Sequence, residues 1–163
     1  MHIAVAKLVI VGLAATLAIG AGLSFGQSVA DKVADKGVFI NPTDIQWKSV
    51  PDGAKAAVLH GNPGKSGPFV MRVIIPAGGK VMPHWHSQDE YITVISGTLY
   101  VGISDKYEPQ TARALTAGGF YFLPANAHHF LYTKKPTMIQ VQGNGPLDVT
   151  YFNSGDASKK ARH

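Results

Sequence analysis

The residues best placed to do chemistry lie between Gly78 and Gly97, in the stretch GGKVMPHWHSQDEYITVISG, where possible metal ligands recur at short spacing. His84 and His86 are two apart, and Glu90 is four further on. Side chains alternate between the two faces of a β-strand, so an extended segment would place all three on one face. Two imidazoles and a carboxylate then offer borderline nitrogen and hard oxygen donors to one space. That mixture suits iron, manganese, nickel, zinc or copper and suits calcium poorly. One divalent transition metal is the expected cofactor.

The chain that must position these residues has 163 of them, 45% hydrophobic and 15% charged. That is enough for one buried core and hardly for two. There is no cysteine, which removes disulfides, thiolate catalysis, iron–sulfur clusters and cysteine-based zinc sites. Any metal is therefore held by histidine and carboxylate. The formal charge of +5 is concentrated at the ends: Lys7, Lys159, Lys160 and Arg162 account for four of the 15 basic residues, leaving 11 against 10 acidic ones. The body shows no basic stripe with stacking aromatics, so no nucleic-acid partner is expected.

Residues 8–25 form an apolar run behind Lys7, and no acidic residue precedes Asp31. This is the pattern of a secretory signal peptide over residues 1–26, cleaved after Gly26 or as late as Ala30. An uncleaved anchor competes with it, because eighteen apolar residues reach the lower limit of a membrane span. The alanine and glycine content and the small residues that follow favour cleavage. The mature protein is expected to be periplasmic or secreted, with no stable membrane span.

After Asn41-Pro42 the sequence alternates short apolar stretches with turn residues. Strands are expected over 46–50, 56–60, 69–75, 90–96, 98–103, 112–115, 120–123, 130–133, 138–142 and 149–152. Turn clusters separate them at 51–53, 61–64, 76–79, 96–97, 118–119 and 143–146. Many short strands at regular spacing argue for an all-β sandwich or barrel over residues 38–153, with a basic tail at 154–163.

The pattern Gly78-x5-His84-x-His86-x3-Glu90-x6-Gly97 resembles, position for position, the first signature motif of the cupin superfamily. Gly118, Pro124 and His129 fall at the offsets of the second. Asn126 stands where that motif has glycine, and Thr133 where it has asparagine. Asparagine tolerates left-handed backbone best among non-glycine residues, so the turn need not suffer. The resemblance implies a jelly-roll β-barrel and one metal inside it, held by His84, His86, Glu90 and His129. Three imidazoles and one carboxylate would leave two positions of a six-coordinate ion for substrate, oxygen or water. A closed four-coordinate zinc that only stabilises the barrel is the alternative.

Neighbours on an extended chain point to opposite sides, so only one of His128 and His129 can be a ligand. The motif offset selects His129 and sends His128 to the outside or rim. His60 has no ligand partner at short spacing and reads as a strand end; His2 belongs to the leader and His163 to the tail. Trp85, between two ligands, should point away from the metal, into outer packing or the contact of a homodimer. Tyr100, Tyr121, Phe130, Tyr132, Gln140 and Gln142 divide between pocket and core. Arg72 reads as solvent-facing or paired rather than as a binder of acidic substrate.

Two functions are open. The first is a dioxygenase- or oxidase-like enzyme acting on a small molecule in the barrel, with Glu90 as ligand or general base. The second is a non-catalytic module that binds a small ligand or senses metal or redox state.

Overall fold

A computed structural model describes residues 37–153. The leader read at 1–26 and the basic tail read at 154–163 lie outside the described residues. Glycine, proline and asparagine punctuation cuts the described chain into eleven strands. In chain order these are β1 (Lys48–Ser49), β2 (Lys55–His60), β3 (Gly67–Ile75), β4 (Lys80–Trp85), β5 (Glu90–Ser96) and β6 (Thr98–Gly102). They continue with β7 (Arg113–Thr116), β8 (Phe120–Leu123), β9 (His129–Thr133), β10 (Thr137–Gly145) and β11 (Thr150–Tyr151).

All pairings are antiparallel and make two sheets, ordered β1-β2-β3-β10-β5-β8 and β11-β4-β9-β6-β7. Their inner faces share one apolar cluster. Phe69, Met71, Ile92, Val94, Ile139 and Val141 come from the first sheet, and Leu99, Val101 and Leu131 from the second. This is the all-β, cupin-type jelly roll that the sequence predicts.

The period of two that builds this core also aims the chemistry. Along β5, Glu90, Ile92 and Val94 are buried while Tyr91 and Thr93 are half-buried on the other face. The packing that drives Ile92 and Val94 inward therefore carries Glu90 inward too. Along β9 the inward residues are His129, Leu131 and Thr133. Phe130 is also fully buried, but on the outer face, where its ring lies against Gly102 and under Tyr107 at 5.1 Å.

Two elements differ from the sequence expectation. β4 has no counterpart among the expected strands, and Pro83 sits within it. Its pairing with β9 runs Lys80↔Tyr132 and Val81↔Leu131, then shifts before His84↔His129. Met82 and Pro83 occupy this bulge, so the missing proline N–H falls where the ladder is already interrupted. As a result His84 stands directly opposite His129. The second difference is β10, which runs through the expected turn at 143–146: Gly143, Asn144 and Gly145 pair with Phe69, Pro68 and Gly67. A Cβ at Gly143 would sit 2.7 Å from the Asp89 carbonyl oxygen, so only glycine lets the strand pass this close to the ligand-bearing turn.

Candidate metal centre

The expectation that His84, His86 and Glu90 share one face of one strand is corrected by the fold. β4 ends at Trp85, and residues 86–89 cross from one sheet to the other before β5 begins at Glu90. The carboxylate thus faces the histidines from the opposite sheet. His129 joins them as the first residue of β9.

The four side chains named from the motif do come together. Possible ligand atoms of His84, His86 and His129 lie within 4.8 Å of one another. The ring centroids are 4.0 Å apart for His84 and His129, 5.0 Å for His84 and His86, and 5.3 Å for His86 and His129. Glu90 borders this cluster, with Oε1 3.6 Å from Nε2 of His86 and Oε2 3.7 Å from Nε2 of His129. All four residues are buried, His129 completely.

Backbone carbonyls fix the rings. Nδ1 of His84 is 2.8 Å from the Met82 oxygen, Nδ1 of His129 is 3.2 Å from that of Ala127, and Nδ1 of His86 meets that of Asp148. A carbonyl only accepts, so each Nδ1 carries the proton and each Nε2 keeps its lone pair. Nε2 of His86, Nε2 of His129 and Oε2 of Glu90 are buried with no hydrogen-bond partner. Leaving such atoms unpaired is costly, and a shared cation is one group that satisfies all three at once. The donor set therefore fits a divalent transition metal.

Burial dominates the titration behaviour. It raises the Glu90 carboxyl, partly opposed by the His86 ring beside it. It lowers His129 to about 4, helped by His86, so this imidazole is neutral near neutral pH. The Tyr121 phenol is pushed well above its ordinary value of 10 by burial and by Glu90. Its hydroxyl is buried and lacks a hydrogen-bond partner.

The ligand turn is held from outside by residues that sequence reasoning missed. Oδ1 of Asp148 accepts from both the N–H and the hydroxyl of Ser87, each at 2.9 Å. Asp148 lies sixty-one positions from Ser87, and a lone aspartate before a short strand carries no local signal of this role. Oδ1 of Asp89 accepts from the Ala125 N–H at 2.8 Å, and the Asn126 N–H donates to the His86 carbonyl at 2.8 Å. Asn126 has φ of 65°, so it makes the left-handed turn that the motif assigns to glycine. Thr133, at the motif's other departure, donates through its hydroxyl to the Pro76 carbonyl at 2.6 Å and pins the turn before β4.

The remaining candidates sit elsewhere. His128 points outward as alternation requires, bonded to Asp105 and stacked on Trp85 with centroids 4.6 Å apart. His60 is exposed at the end of β2. Arg72 donates to Gln140 at 3.3 Å, and Gln140 donates in turn to Gln142. Tyr100 and Tyr132 stack on one another at 4.7 Å. Next to the histidines lies a cavity of about 440 Å³ that none of these residues lines.

The family model described as "Cupin domain" matches residues 71–140, the stretch that contains all four clustered side chains. Comparison with curated proteins gave no match. Among solved structures, the polyketide cyclase RemF from Streptomyces resistomycificus superposes with a TM-score of 0.59 at 18% identity, over 77% of this chain and 92% of that one. A candidate acetylacetone dioxygenase from Methylibium petroleiphilum gives 0.59 at 20% identity, over 74% and 84% of the two chains. KdgF from Halomonas sp. gives 0.54 at 21% identity, over 67% and 95%. At these identities the likeness speaks for the fold. With the family match, the two-sheet jelly roll and the buried histidine cluster in agreement, residues 71–140 are identified as a cupin domain.

Proposed function

We propose that this chain is an exported metal-binding cupin that acts as a mononuclear metal-dependent enzyme, of dioxygenase or oxidase type, on a small molecule inside the barrel. One observation carries the metal: imidazoles whose Nδ1 protons are committed to backbone carbonyls, with unpartnered Nε2 lone pairs on His86 and His129 beside Glu90. His84, His86 and His129 would hold the ion, with Glu90 as fourth ligand. When bound, such an ion supplies Lewis acidity and, if redox-active, a place for oxygen chemistry.

The chain's own residues supply the rest. Three carbonyl-tethered rings fix the donor positions before anything binds, which lowers the ordering cost. Glu90 would either stay a ligand or, swung off the ion, serve as the general base; burial raises its carboxyl above the ordinary carboxylate range, which favours proton uptake there. The cavity beside the cluster offers a small molecule a largely apolar wall next to the histidines. The likeness to a candidate acetylacetone dioxygenase is in keeping with oxygen chemistry but concerns fold. The leader pattern at 1–26 supports export.

Oxygen uptake by iron- or manganese-loaded protein, followed across phenols, diketones and small thiols against a His84→Ala control, tests this reading. Substrate-dependent uptake above the control is expected. Retained metal with no uptake or product from any substrate would instead make the barrel a binding or sensing module.

A further inference from the structure

The lining of the cavity beside the histidines separates into three zones. At one end are the clustered histidines and Glu90. The middle is walled by Met71, Val73, Ile92, Leu131, Ile139 and Val141, inward-facing residues of β3, β5, β9 and β10. At the other end the exposed residues Ser49, Asp52 and Lys80 meet solvent. Strand register separates the ends: Lys80 and His84 lie four residues apart on β4, roughly 13 Å in extended chain. The volume of about 440 Å³ falls within the range of sites for small organic ligands.

No polar side chain lines the middle zone, and the strand backbones there are committed to their ladders. A polyol or sugar lying along it would bury hydroxyls with nothing to bond, which is unfavourable. A hydrocarbon body would gain for every methylene removed from water. We infer that the ligand of this barrel is an elongated, mostly hydrocarbon molecule with one oxygen-bearing end seated at the histidine cluster. The class includes alkylated phenols and enols. This rests on the proposed metal reading for the seat of the polar end, and on the cavity alone for the apolar body.

Isothermal titration of the metal-loaded protein with phenol, 4-ethylphenol, 4-butylphenol and 4-hexylphenol, beside sorbitol, tests it. Affinity should rise about fourfold per methylene until the cavity is full, and sorbitol should not bind. Val73→Trp, or Ala56→Leu as a milder filling of the same cavity, should weaken the longer phenols at least tenfold more than phenol itself, with metal content unchanged. A flat series in the unaltered protein, or sorbitol binding as well as butylphenol, would overturn the inference. The same series on a His84→Ala, His86→Ala variant separates the two readings. A weaker series with the same increment supports both, whereas an unshifted series keeps the apolar body and removes the metal seat.

Discussion

Glu90 and His129 act on the stability of the metal-free protein in opposite directions. Burial lowers His129 from an ordinary 6.5 to about 4, so between those values the unfolded chain binds the proton and the folded one does not. That contribution is complete above pH 6.5 and is lost as pH falls toward 4, by roughly 3 kcal/mol. Glu90 is raised above 4.5, so its contribution is present below 4.5 and is lost as pH rises through its folded value. Metal-free Glu90→Gln should therefore lose roughly 3 kcal/mol between pH 6.5 and 4 in urea titrations, a loss absent from Glu90→Gln/His129→Gln. Equal losses in the two variants would count against a buried neutral His129. The spacing of His84, His86 and Glu90 was legible without structure because metal ligands need rare residue types close together. His129 needed the second motif, and Asp148 left no trace because its partners are distant in the chain.

The element that matters most is the crossing at 86–89, whose two ends lie in different sheets. Asp148 receives two hydrogen bonds from Ser87, and its own carbonyl orients His86. Asp148→Ala should leave the β circular dichroism unchanged and weaken metal binding about 10–100-fold in competitive chelator titrations. Unchanged affinity would mean that the turn holds its shape alone. The hairpin between β5 and β6 is as constrained: Gly97 has φ of 81°, and a Cβ there would lie 2.7 Å from the Pro136 carbonyl oxygen. Gly97→Ala should cost at least about 2 kcal/mol by chemical denaturation. Most strands were legible from alternation and turn residues, and β5 and β8 match their expected limits. β4 was not, because a proline inside a strand is tolerated only at a bulge, and a bulge is set by the partner strand's register. For the same reason the single-face picture of the ligands failed: sequence spacing is silent on where a chain changes sheets.

At the scale of the molecule, one packed interior serves both stability and chemistry. Phe130, on the outer face of β9, is fully buried behind His129, so Phe130→Ala should cost about 3–5 kcal/mol and lower metal retention along with stability. The barrel itself was legible from the motif and from strand periodicity. The apolar cavity was not, since its walls come from several strands and no local pattern tells a lining residue from a core residue. The central claim is that the three histidines and Glu90 hold a transition metal. Elemental analysis of protein purified without a histidine tag or chelator, beside a His84→Ala, His86→Ala variant, tests it most directly. A stoichiometric transition metal is expected in the former and none in the latter; a metal-free protein that also refuses added iron, manganese, nickel, zinc and copper would contradict a metal site here.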